Sequence, residues 1–398
     1  MASAMDNLRE WYRDRRSRLD LFDETLVSQQ AKPLYLLGPM LYYFWLVTVV
    51  SGVILMFWYE PTTTGAYSSI LHIQHEIPLG WLVRGVHKYA ADGLIITIIL
   101  RIYRQYFLAE YKKPGELTWV WSFLGLILAM ISGITGYLLI WNQRAFWAAK
   151  TVLTVPVYFD ELTAKIPVIG ERFNVGSMIA FLFLGGPAIG EATITRFYAL
   201  HFGISLVLLI VAEVFYYRTR RVRLNMSLVP IVLFMVMLIF ISHPSVLPAE
   251  LGRRADPNRT PLPILSDWYF LALYQYVKYT PPLWAGLGPG LLIGFGMLAP
   301  FLDRSKYRRP LERPFFFVVG VLALIYFIAF TTLILFNVAV ITREPPLVLL
   351  TTIVVLSGAL AWELRFRRQR ARAPAAEPTP APVARPATAA AHGAGGDS

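Results

Sequence analysis

Two stretches set a histidine and an arginine inside long apolar runs: Arg84-Gly-Val-His87 and Arg196-Phe-Tyr-Ala-Leu-His201. An imidazole in a hydrocarbon-facing segment is costly, and its presence marks function. Two imidazoles at matching depth on two helices can grip one flat metal macrocycle from both faces. The arginines, a turn or so above, could pair with carboxylates on such a group through charge-assisted hydrogen bonds. Small residues on neighbouring runs, Gly38, Gly52, Gly125, Gly133 and Gly136, would let a ring edge or a backbone approach closely. The same spacing also fits two histidines of a polar network or proton relay packed between helices.

The elements that must carry these residues are apolar helices. Hydrophobic residues make up 56% of the 398-residue chain, too many for an ordinary soluble domain, so an all-α polytopic membrane protein is expected. The net charge of +12 would suggest nucleic-acid binding in a soluble protein. Here the basic residues cluster between apolar runs, as expected of cytoplasmic loops, and no nucleic-acid partner is expected. The absence of cysteine excludes disulfides, iron–sulfur ligation by thiolates and thioether-attached haem within this chain.

Apolar runs occupy residues 36–58, 81–106, 117–141, 194–217, 226–243, 286–302, 315–341 and 346–364. Each is near the roughly 20 residues that a helix needs to cross a bilayer. Residues 59–80 hold no Lys or Arg, whereas basic clusters follow every second run: Lys112 and Lys113, then Arg218 to Arg223, Arg304 to Arg313, and Arg365 to Arg372. The alternation predicts eight spans with both termini cytoplasmic. His87 then lies about six residues, or roughly 9 Å, below the outer end of its helix, and His201 at similar depth.

Four segments follow. Residues 1–33 form a basic cytoplasmic arm, expected as an amphipathic helix on the lipid surface. Residues 34–224 form the four-helix bundle with both histidines. Residues 225–364 form the C-terminal group of four transmembrane helices with an outer loop. Residues 365–398 form a basic, then Ala/Pro-rich, disordered tail. No cleavable leader is expected, because the first 35 residues are polar and basic. His72 and His75 lack a nearby third ligand and read as surface residues.

Three stretches are similar to the cytochrome b subunit of cytochrome bc complexes: Gly136-Tyr-Leu-Leu-Ile-Trp141-Asn-Gln143-Arg-Ala-Phe146-Trp147, Ile166-Pro-Val-Ile-Gly170 and Arg196-Phe-Tyr-Ala-Leu-His201-Phe. Gly80-Trp-Leu-Val-Arg84-Gly-Val-His87 and Ser266-Asp267-Trp268-Tyr269 carry the same resemblance, which runs from about 36 to 364. The layout resembles the undivided, eight-helix form. The run Tyr111-Lys-Lys-Pro-Gly-Glu-Leu-Thr-Trp119 resembles bacterial branches that often use menaquinone. The resemblance implies a bacterial plasma-membrane protein with haem b ligated by His87 and His201. Arg84 and Arg196 would then lie at the haem propionates, and Gly52 and Gly136 against the cofactor.

The chain departs from the family where a second histidine follows each ligand by 14 residues. Those positions hold Arg101 and Phe215, and neither is an ordinary axial ligand. A glycine expected before Gly136 is Ser122. One haem at the outer site is therefore expected, with no second haem on the inner side. Phe215 would fill part of the space left. Arg101 would either pair with Glu213 or snorkel to the cytoplasmic surface.

The family's quinol-oxidising motif leads with proline; here Ser266 stands in that place and Asp267 supplies the carboxylate. A carboxylate in an apolar, aromatic setting holds a proton more tightly, which suits accepting one from quinol. Asp267 and Tyr269 are the candidate catalytic residues, and Tyr137, Phe146, Trp147 and Trp268 the quinol-binding ones. A second reading has Ser266 capping a short helix over 267–278, with Asp267 favouring its N-terminus.

The resemblance implies the quinol-oxidising subunit of a cytochrome bc-type oxidoreductase. Its partners would be a Rieske iron–sulfur protein, a c-type cytochrome or other haem subunit, membrane lipid and a second copy of the chain. Without an inner haem no conventional quinone cycle is expected. The alternative is an anchoring subunit on the same scaffold, without quinol chemistry.

Overall fold

The computed structural model describes residues 4–16, 37–113, 115–165, 174–219, 228–261, 265–336 and 345–372. Among them the chain is helical, apart from one isolated bridge between Asn142 and Arg254. A helix lies on each expected span: α2 (Leu37–Met56), α4 (Gly80–Phe107), α5 (Glu116–Leu139), α9 (Glu191–Thr219), α10 (Leu228–Ser242), α12 (Pro282–Leu302), α13 (Pro314–Leu335) and α14 (Pro345–Arg372). Shorter helices fill the arm and the long loops: α1 (Ala4–Arg16), α3 (Ala66–His75), α6 (Gln143–Thr154), α7 (Phe159–Thr163), α8 (Val175–Leu184) and α11 (Trp268–Tyr279). By length and composition, helices over Glu116–Leu139, Leu283–Leu302 and Pro314–Leu335 are long and apolar enough to cross a membrane. The protein is a multi-pass membrane protein.

Four helices close a ring: α2 packs on α4, α4 on α5, α5 on α9, and α9 back on α2. Helix α10 lies against α4, α12 against α5, and α13 pairs with both α11 and α14. The main core runs between α2, α4 and α5, with Phe44, Ile95, Ile98 and Trp119 buried in it. A second apolar cluster, built on Leu138, Trp141, Phe146, Trp147 and Ile194, sits where α5 meets α6 and α9.

Two boundaries differ from the sequence expectation. The basic run 365–372, expected in the tail, continues α14. Arginine is a good helix former, and Arg367 pairs with Glu363 one turn earlier. Helix α12 starts at Pro282, where proline suits a first helical turn because its missing N–H has no helical partner to lose. The motif 166–170, the tail beyond 372, and the side chains of Glu213 and Phe215 lie outside the described residues.

The loops at the other end of the bundle are joined by an ion cluster. Asp303 Oδ2 accepts from Tyr111 (2.7 Å) and pairs with Lys112 (3.0 Å) and Arg313 (3.1 Å). Arg313, 1% exposed, also donates to the carbonyls of Tyr106 and Phe107, and Lys112 to those of Ser305 and Tyr307. Burial alone would raise the Asp303 carboxyl, but hydrogen bonds from Tyr111, Lys112 and Ser305 outweigh it and hold the group below its usual range. A lowered value means the contribution is whole above the ordinary 3.8 and is lost only as pH falls below it. Asp303→Asn would leave two buried cations without their anion. It should cost about 3–5 kcal/mol, read as a lower melting temperature of the detergent-solubilised protein at neutral pH.

Candidate functional site

His87 on α4 and His201 on α9 face each other across the ring of four helices. Their ring centres are 6.2 Å apart and the ring planes stand at 74°. His87 Nδ1 lies 2.9 Å from the Thr48 carbonyl, and His201 Nδ1 2.9 Å from that of Ser132. A carbonyl only accepts, so each Nδ1 carries the hydrogen and each Nε2 keeps its lone pair. Such a second bond fixes both tautomer and orientation in a metal-binding imidazole. Two metal–imidazole bonds of about 2 Å, plus roughly 1 Å from each nitrogen to its ring centre, sum to about 6 Å. The observed spacing thus fits one iron between the rings, and the donor set fits haem.

The backbone acceptors are exposed by a repeated device. Thr48 and Ser132 each precede a glycine by four residues, Gly52 and Gly136. A helical side chain covers the turn N-terminal to it, so only glycine leaves that carbonyl open. A Cβ on Gly52 would lie 2.9 Å from His87 Cε1, and one on Gly136 2.5 Å from His201 Cε1. The two glycines admit the imidazoles, and both also line the cavity between them. Gly136→Ala should therefore displace His201 and weaken the low-spin b-type absorbance more than Gly52→Ala does, and the reverse order would contradict this geometry.

Both histidines line a cavity of about 710 Å³. Tyr137, Asp267, Trp268 and Tyr269 line the same cavity, so the two expected sites form one space. Phe146 and Trp147 do not line it. They are buried behind it in the second apolar cluster, with the Trp147 indole 3.3 Å from the Asp256 carbonyl.

The two arginines are held by protein acceptors. Arg84 touches the cavity, but donates to Gln74 Oε1 (2.6 Å) and the Ala249 carbonyl (2.6 Å). Arg196 donates to the carbonyls of Phe181 and Leu182 at the end of α8 and does not line the cavity. Backbone carbonyls are good guanidinium acceptors, and these bonds fix where the two side chains sit. Lys88 and Arg144 are cavity-lining cations that sequence reasoning missed.

Asp267 is the N-cap residue of α11, yet its side chain makes no capping bond. Ser266 is not the cap; its hydroxyl donates to the Asp267 carbonyl at 3.2 Å. The Asp267 carboxylate therefore faces the cavity, with the Tyr269 hydroxyl 3.5 Å away. Burial pushes the Asp267 carboxyl up; Lys88 and Arg144 pull it back and Asp92 adds to the rise. A Cβ on Gly133 would meet the Tyr269 hydroxyl at 2.5 Å, so this tyrosine fits only against glycine. Asp92 was also missed. Its signal was an i,i+4 pair with Lys88 inside an apolar run.

At the far end of α4, Arg101 is 6% exposed, so its side chain is buried and does not snorkel to the surface. Ser122, at the expected glycine, is buried and bonds the Thr118 carbonyl at 2.9 Å.

Comparison with known proteins decides the family. The family model Cytochrome b/b6/petB matches residues 22–222, and Cytochrome b(C-terminal)/b6/petD matches 254–357. The chain belongs to the cytochrome b family. Cytochrome b6 of Crocosphaera subtropica is 37% identical over 199 residues, covering 48% of this chain and 82% of that protein. Cytochrome b6 of Cyanidium caldarium is 34% identical over 201 residues, covering 50% of this chain and 87% of that protein. A chain of a hyperthermophilic respiratory Complex III shares the fold, with a TM-score of 0.69, 23% identity, and coverage of 84% of this chain and 90% of that one. This cytochrome b carries both the N-terminal and the C-terminal family regions in a single chain. It is an electron-transfer membrane protein of the type found in bc and b6f complexes.

Proposed function

We propose that this cytochrome b oxidises quinol on the outer side of a bacterial plasma membrane, within a bc-type complex, and binds one haem b. The observation that carries the reading is the shared cavity: two tautomer-fixed imidazoles and a half-buried carboxylate line one space of about 710 Å³. That volume is within the usual range for small-molecule sites.

The haem, when bound, supplies a one-electron acceptor. The chain's own residues do the rest. Tyr137, Trp268 and Tyr269 offer aromatic walls to a flat quinol headgroup. Asp267, with its proton affinity raised by burial, accepts a hydroxyl proton as the headgroup loses electrons. A Rieske iron–sulfur protein is the proposed acceptor of the other electron, with a c-type cytochrome or other haem subunit beyond it. Menaquinol is the proposed substrate, and a homodimer with cytoplasmic termini the proposed assembly. With Arg101 and Phe215 at the deeper positions, the chain has no ligand pair for an inner haem and no conventional quinone cycle.

The test is addition of a short-chain menaquinol analogue to the purified complex. Reduction of b-type haem, blocked by an outer-site quinol inhibitor, is the expected result. Haem that this quinol cannot reduce would refute the proposal. A preparation without b-type absorbance would favour the anchoring role.

A further inference from the structure

The segment that carries Asp267 enters α11 without a side-chain cap. Ser266 does not cap α11, and neither does the Asp267 side chain. What ties this segment to the histidine-bearing helix is a contact 176 positions away in sequence: the Trp268 indole donates to Asp92 Oδ1 at 3.0 Å. The other oxygen, Oδ2, accepts the Lys88 ammonium at 2.8 Å, and the lysine is 38% and the aspartate 17% exposed. Lys88, Asp92, Trp268 and Asp267 all line the cavity.

Lys88 thus pairs with Asp92 and shares the cavity lining with a second carboxylate, Asp267. Its stem is flexible and its ammonium can pair with whichever anion is offered. An ammonium bonded to Asp267 would make that group a poor proton acceptor, because an adjacent cation favours the charged form.

We propose that Asp92 is a positioning residue of the quinol site: one carboxylate oxygen anchors Trp268, and with it the Asp267 backbone, while the other holds Lys88 away from Asp267. The proposal deepens the quinol reading and rests on it for its functional meaning. The ionisable groups around the pair are Lys88 and Tyr89 on α4, Tyr137 on α5, Arg144 on α6, and Asp267 and Tyr269 at α11.

The experiment uses the whole purified complex and infrared titration of the Asp267 carboxyl, identified by its loss in Asp267→Asn. Asp92→Asn keeps an oxygen for the indole but frees Lys88. The Asp267 midpoint should fall by about one pH unit or more. Lys88→Gln removes the competing cation and should move the midpoint the other way; it also leaves no unpaired cation behind, so it serves if Asp92→Asn does not assemble. In Asp92→Ala the indole N–H signal of Trp268 should change as well, in ultraviolet resonance Raman spectra. An unmoved Asp267 midpoint in haem-loaded Asp92→Asn, or a fall in Lys88→Gln, would overturn the proposal. If both shifts occur but the wild-type complex does not oxidise the menaquinol analogue, the quinol reading fails and the Asp92 coupling stands.

Discussion

His201→Leu should abolish b-type absorbance while the protein still inserts into the membrane. The reasoning is one of ligand count. The outer pair is the only histidine pair on facing helices within the described bundle, and each ring is held by a backbone carbonyl at 2.9 Å with hydroxyls beside it, Ser51 at His87 and Ser132 and Thr135 at His201. Removing one ring removes half of the axial ligation and leaves the Ser132 carbonyl without its donor. The matching measurement on the unaltered protein is a pyridine haemochrome assay against protein mass, where one haem per chain is expected. Two haems per chain, or residual low-spin haem in His201→Leu, would mean that other side chains ligate iron.

Asp267→Asn should slow quinol-driven haem reduction by about 10²–10⁴-fold, the usual worth of a positioned proton acceptor. Asparagine is nearly the same size and leaves the Trp268 bond to Asp92 in place, so packing should be kept. The sign of the pH dependence follows from the direction of the shift. Burial lifts the Asp267 carboxyl above its ordinary 3.8, and only the unprotonated form can accept a proton. The unaltered complex should therefore gain rate as pH rises through that raised value, and the variant should lose this limb altogether. A variant with the same limb would assign the proton to another group. Rate against pH for haem reduction by a menaquinol analogue, with the haem spectrum as a control for folding, decides between them.

These expectations differ in where they come from. The helices on the eight expected runs were legible because hydrocarbon leaves a chain few options: backbone polar groups must be satisfied within the segment, so a crossing helix writes itself as a long apolar run. The histidines were legible for the same reason, since a polar group in such a run stands out. Asp267 and Tyr269 were found through a short motif, and the cavity does bring them together with His87 and His201. Other contacts were not legible, because the partner lies far off along the chain. Arg84 lines the cavity and bonds the Ala249 carbonyl, 165 positions away. Phe146 and Trp147 belong to the right motif but face a second core.

The sequence by itself determined the class of protein, its helices, the pair of histidines in apolar runs and the acidic motif, because each of these is a local pattern set by the bilayer or by the chemistry of one residue. Only the tertiary structure decided that Thr48 and Ser132 orient the imidazoles, that Asp92 reaches Trp268, and that Asp303 gathers Tyr111, Lys112 and Arg313. Those contacts join loop carbonyls and single side chains that carry no periodic signal. Their energy exists only once the helices have packed and water has been excluded, so nothing in the linear order announces them.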